Sequence, residues 1–165
     1  MMKKATLAII TIIIIIFTYS IGYRAFYDNR TANNLSSYCT IDFRGVIDPT
    51  TNKVTIATLS LVDYRFSSKP IEKFCIIDVD DKTYKIAADE TSSFPPTYSP
   101  NDFNLQSCFK YTNSLLVHFE PSLLKEINNA KIVKISFKYV GNNSAIELPL
   151  SEVDLKYWKK QLILL

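Results

Sequence analysis

The chain has 165 residues, 47% of them hydrophobic and 21% charged, with a formal net charge of +3. That length holds one ordinary domain and little more, and the apolar fraction excludes a chain disordered throughout. The three glycines (Gly22, Gly45 and Gly141) form no phosphate-cradling loop, and a single histidine excludes a two-histidine metal site within one copy.

The chain opens Met1-Met2-Lys3-Lys4, and the next charge is Arg24. The 19 residues between are uncharged and include the run Ile12 to Ile16. A signal-peptide core has about 7–15 apolar residues, whereas a membrane span needs about 17–25. As a helix, this stretch reaches roughly 28 Å, close to the thickness of the hydrocarbon layer. Length therefore favours a retained anchor over residues 1–23, meeting lipid through residues 5–23. The alternative is a signal cut near Gly22, because Ser20 and Gly22 form a small-x-small pair. The first cysteine, Cys39, lies too far downstream for a lipid-modified anchor. Lys3, Lys4 and the terminal amine favour the inner side, so either reading puts the bulk of the chain outside the cytoplasm. Without its first 23 residues the chain loses two lysines and falls to +1, which predicts no nucleic-acid partner.

Residues 24–38 are polar and aperiodic and read as a linker. Residues 39–47 alternate as a half-buried strand, and Asp48-Pro49-Thr50-Thr51-Asn52 is turn chemistry. Residues 53–64 carry apolar groups on both faces, which predicts a central strand. Strands over 71–79 and 82–88 flank Asp80-Asp81 as a hairpin. Residues 89–106 hold three of the seven prolines and read as a long loop. Residues 107–111 and 114–120 read as a hairpin about Thr112-Asn113. Pro121 opens a short helix with Leu123, Leu124 and Ile127 on one face. Residues 131–140 alternate most cleanly, and Gly141-Asn142-Asn143 turns into a strand from Ala145 to Leu148. Ser151, with Asp154 three residues on, caps a final helix carrying Leu155, Trp158 and Leu162. The expected fold over residues 39–165 is α+β: a mostly antiparallel sheet of seven or eight strands with one short internal helix and one C-terminal helix.

Chemistry is sparse. Cys39, Cys75 and Cys108 form no C-x-x-C pair, and outside the cytoplasm any two of them are candidates for one disulfide. A Cys108–His118 dyad conflicts with the expected hairpin register, which sets those two side chains on opposite faces. Asp78, Asp80 and Asp81 read as hairpin acids, since Lys82 and Thr83 stand where a calcium loop needs an oxygen ligand and glycine. Asn29, Asn34 and Asn142 each begin an N-glycosylation triplet. No G-x-S-x-G or H-E-x-x-H motif occurs, and no metal or cofactor is predicted. Phe94, Tyr98 and Phe103 lie in the proline-rich stretch, where stiffened backbone lowers the entropy cost of presenting aromatic anchors to a protein partner.

The expected protein is a small membrane-anchored, extracytoplasmic binding module without enzymatic activity, of the kind found as an envelope-complex subunit or toxin inhibitor. Two alternatives stay open: a small exported hydrolase, and a domain binding an envelope lipid or small molecule.

Overall fold

The computed structural model describes residues 2–28, 39–97 and 109–163. The chain divides into two compact units, Met1–Arg30 and Thr31–Leu165. The first holds one helix, α1 (Met2–Asp28). It runs five residues past the expected end of the apolar segment. Its stretch Thr6–Asp28 (23 residues, mean hydropathy 2.1) is long and apolar enough to cross a membrane, as a signal sequence also is. Leu7, Ile9, Ile10, Ile12 and Ile13 are all exposed, so the helix has no polar face. Two threonine hydroxyls in it are satisfied locally: Thr11 donates to the Leu7 carbonyl at 3.0 Å and Thr18 to the Ile14 carbonyl at 2.9 Å.

The second unit is α+β, as its pattern predicts. Its strands are β1 (Cys39–Asp48), β2 (Lys53–Arg65), β3 (Ile71–Val79), β4 (Lys82–Ala87), β5 (Glu90–Phe94), β6 (Tyr111–Phe119), β7 (Val133–Tyr139) and β8 (Ile146–Pro149). Helix α2 (Pro121–Asn129) joins β6 to β7, and α3 (Glu152–Gln161) follows β8. The strands form two four-stranded sheets rather than one, ordered β1-β2-β6-β5 and β4-β3-β7-β8, and every pairing is antiparallel. The division occurs at Ala88-Asp89. The Ala88 amide donates to Lys73 of the second sheet at 3.0 Å, and the Asp89 amide to Leu116 of the first at 2.9 Å.

Two expectations change. Thr112-Asn113 is no turn but lies within β6, with Thr112 opposite Tyr64 and Asn113 opposite Asp63. Of the expected first arm, 107–111, residues 107 and 108 lie outside the described residues, and Tyr111 instead begins β6. The proline-rich stretch contributes a strand, because Glu90–Phe94 pairs along β6 from Leu116 to Thr112. Its side chains show no apolar alternation; pairing with β6 satisfies backbone groups that side-chain pattern does not report.

The core lies between the sheets. Phe43, Leu59, Leu61, Leu115 and Val117 come from the first sheet, and Cys75, Ile77, Ile135 and Phe137 from the second. Helix α3 packs against β1 at Gly45, where a Cβ would lie 2.5 Å from the Gln161 carbonyl oxygen. The Ser151–Asp154 capping box starts that helix. Trp158 then stacks on Phe43 at 4.1 Å and 8°. The β3–β4 turn is tied to the chain after α2 by Asp80. Its carboxylate accepts from the backbone N–H groups of Ile132 (2.8 Å) and Lys131 (2.9 Å). Those donors hold its pKa below the ordinary carboxylate value. Asp80 also has φ 49, which Asn tolerates as well as Asp.

Removing the Trp158 ring leaves a cavity against Phe43, so Trp158→Ala is expected to destabilise the domain by about 3–5 kcal/mol in a denaturant titration. Because the folded pKa of Asp80 is lowered, its contribution is complete above about pH 4 and is lost as pH falls through the folded value. Asp80→Asn, which keeps an acceptor but cannot titrate, is expected to flatten the acid limb of a stability-versus-pH profile.

Candidate functional site

The divergence of the two sheets builds a cleft in the domain. Beyond the Ala88-Asp89 switch, β4 stays with β3 while the far end of β6 stays with β2. The space between them is about 630 Å³. One wall is the strand Thr83–Ala87; the other holds Asp89, His118, Glu120, Ser122 and Leu123. Helix α2 is held beside β4 by Glu126, which accepts from Lys82 at 2.9 Å and from the Tyr84 hydroxyl. The Tyr84 hydroxyl first and Lys82 second hold the Glu126 carboxyl below its usual range, while that bond to Glu126 pushes the Tyr84 phenol up.

In the cleft, His118 Nδ1 lies 2.7 Å from Asp89 Oδ2. Both side chains are about half exposed, 47% and 48%. The pair forms because His118, opposite Thr58 on β2, projects from the outward face of the first sheet, while Asp89 sits at the strand switch beside it. A carboxylate on Nδ1 orients an imidazole and selects its tautomer, the supporting half of a nucleophile-activating triad. Thr83 and Ser122 line the same cleft, but neither hydroxyl is hydrogen-bonded to His118, and that of Thr83 donates to Asp78. The sequence pattern shows His118 on a strand but carries no signal for Asp89, 29 residues away.

A second polar group is buried at one end of the sandwich. Along β2 the inward alternation Ala57, Leu59, Leu61 continues into Asp63 and Arg65, both fully buried. The Tyr139 hydroxyl donates to Asp63 Oδ2 at 2.6 Å, and the Arg65 guanidinium lies 3.8 Å from the centre of the Tyr139 ring. Asn113 is buried between Asp63 and Ser93, and its side-chain amide finds no hydrogen-bond partner among the described residues. The row Ala57, Leu59 and Leu61, extended by two positions at a time to Asp63 and Arg65, was the available signal for this group.

The sequence candidates are dispersed. Phe94 ends β5 and is 56% exposed; Tyr98 and Phe103 lie outside the described residues. Cys39 begins β1 beside a smaller cleft of about 330 Å³ shared with Trp158. Cys75 is a free thiol in β3, opposite Phe137, and is not joined to Cys39. Cys108 lies outside the described residues. Among the described residues no three His, Cys, Asp or Glu side chains are grouped to hold a metal ion. Asp78 accepts from Thr83 at 2.7 Å and pairs with Lys134 at 3.2 Å, and Asp80 serves its turn, so these acids do structural jobs.

No protein-family model matches the chain, and no curated protein matches it.

Burial pushes the Cys75 thiol up to about 12, so almost no thiolate exists at neutral pH. In the folded protein Cys75 is expected to resist iodoacetamide, and to react once denaturant exposes it, as read by mass spectrometry of the Cys75 peptide.

Proposed function

We propose that this protein is a single-pass membrane protein whose β-domain binds another protein outside the cytoplasm, without catalysing a reaction. The observation that carries the membrane half is α1. Its Thr6–Asp28 stretch is uncharged as far as Arg24, and the Thr11 and Thr18 hydroxyls are bonded to its own carbonyls, as polar groups of a spanning segment must be in lipid. Lys3 and Lys4 precede the apolar run, so the positive-inside rule sends the residues after α1 across the bilayer.

The contrast between the two outward sheet faces supports the binding half. On the second sheet that face carries a charged row, Asp78–Lys134–Glu147, with bridges of 3.2 and 3.4 Å. On the first sheet the central strands turn Thr58, Ser60 and Val62 outward from β2, and Thr112, Ser114 and Leu116 from β6. Depletion of charge is the compositional mark of the middle of a protein interface.

One observation favours a second reading, a small exported hydrolase: the Asp89–His118 pair in its cleft. That reading expects ester or peptide hydrolysis by the purified full-length chain, abolished by His118→Ala.

The test of the first reading uses the full-length protein in native membranes, with a photoreactive residue at Ser60 or Ser114, or at Lys138 as a control. The expected result is retention through an alkaline wash and a discrete protein adduct from Ser60 and Ser114. Release by the wash with the N-terminus intact overturns the anchor, and absence of an adduct from every position overturns protein binding.

A further inference from the structure

We propose that the open edge of β1 receives β1 of a second copy of this chain, antiparallel about Phe43, so that two first sheets join across a two-fold axis as one sheet of eight strands. This goes beyond the reading above, which places another protein on the outward face of the first sheet.

The four edge strands differ in how they are guarded. An open edge is a template for one more strand, and short length, proline and lysine are the usual guards against it. β4 has six residues with two lysines, β5 has five residues, and β8 has four and ends in Pro149. β1 has ten, with neither lysine nor proline. Among the described residues it pairs with β2 alone. Its register breaks between Val46 and Ile47, which leaves Thr40–Val46 as a regular run with Phe43 at its centre.

The backbone accepts that centre. In an antiparallel ladder, alternate residues direct both N–H and C=O to the same neighbour. Positions equally far from Phe43 on its two sides therefore share a phase, and every group that β1 turns away from β2 meets its own equivalent in the second copy. The contact is isologous and closes at two copies. The inward side of β1 is occupied by α3 at Phe43 and Gly45, so selection falls to the outward side.

The outward charges select a second copy and its register. Asp42 and Arg44 lie opposite Ser60 and Thr58 of β2. They pair with each other at 2.7 Å, with the Arg44 side chain 75% exposed. A two-fold axis at Phe43 sets each Asp42 opposite Arg44 of the second copy, so four charges alternate in sign. A centre at Asp42 opposes Asp42 to itself, and a centre at Arg44 opposes Arg44 to itself; like charges directly opposite are destabilising. A centre at Gly45 opposes Asp42 to Asp48 and crosses the break in register. A centre at Ile41 opposes Asp42 to Thr40 and pairs only Cys39–Phe43. Of these registers, the one about Phe43 alone opposes unlike charges, and it uses the whole regular run.

The test is sedimentation equilibrium of the full-length protein in detergent micelles, and the expected result is a reversible dimer. Asp42→Arg alone and Arg44→Asp alone each oppose like charges at two places, and each is expected to weaken the dimer roughly tenfold or more. An equimolar mixture of the two variants opposes unlike charges again and is expected to dimerise about as tightly as the unaltered protein. With Asp42→Cys in one copy and Arg44→Cys in another, mild oxidation is expected to form the mixed disulfide well ahead of either symmetric one, read by mass spectrometry of the linked peptides. That measurement decides the register should a charge variant fail to fold. A monomer at every concentration, a dimer that neither charge variant weakens, a mixture no tighter than its components, or symmetric disulfides equal to the mixed one overturns the proposal. Capture of another protein from Ser60 or Ser114 is a separate measurement, so failure of the dimer leaves the protein-binding reading standing.

Discussion

The change of hydrogen-bonding partner at Ala88-Asp89 organises the whole domain. One amide reaches Lys73 in one sheet and the next reaches Leu116 in the other. Without that step β4 and β5 would run on as one edge strand of the second sheet, and the first sheet would keep three strands. With it, two sheets face each other and share one apolar interior, and both are amphipathic by simple alternation. The same step creates the cleft, because two strand segments that leave it with different partners must separate. Asp89 strengthens the corner twice, by its backbone to Leu116 and by its carboxylate to His118.

Closure of the interior falls to the helices. α2 supplies Leu123, Leu124 and Ile127, and α3 supplies Leu155 and Trp158. Gly45 matters here because α3 comes so near β1 that a side chain at that position would meet helix backbone. The Lys159 ammonium donates to the Ala130 carbonyl at 2.7 Å and joins the start of the final helix's last turn to the end of α2. The buried Asp63, Arg65, Asn113 and Tyr139 make the opposite use of the interior. A buried carboxylate and guanidinium are costly unless paired and hydrogen-bonded. A one-residue slip of β2 would bring Val62 and Tyr64 inward and turn Leu59, Leu61, Asp63 and Arg65 to the outside, so this polar end helps to specify a single register.

The proposed anchor depends on α1 and owes nothing to the sheets, whereas the proposed protein-binding face depends on how β2 and β6 pair. Lysine on β4 guards an edge that no other strand covers among the described residues.

Much of the architecture was legible locally. Alternation in 133–139 marked β7, the Ser151–Asp154 pair marked the start of α3, and Asp80-Asp81 marked the hairpin turn. In each, the residues concerned are near neighbours, so side-chain chemistry and backbone geometry are tied within a few positions. The misread places are those where distant pairing overrode local preference. Asn113 has turn chemistry, yet it lies in a strand because Asp63 and Ser93 flank it. Glu90–Phe94 has no apolar period, yet it is a strand because β6 offers it an edge. The amino-acid sequence by itself determined the apolar helix, the strand periods and the caps, because these depend on contacts within a turn or a pleat. Only the tertiary structure decided that there are two sheets, that His118 meets Asp89 and that β4 pairs with β3 alone among the described residues, because hydrogen bonds between remote strands carry no periodic trace in either strand alone.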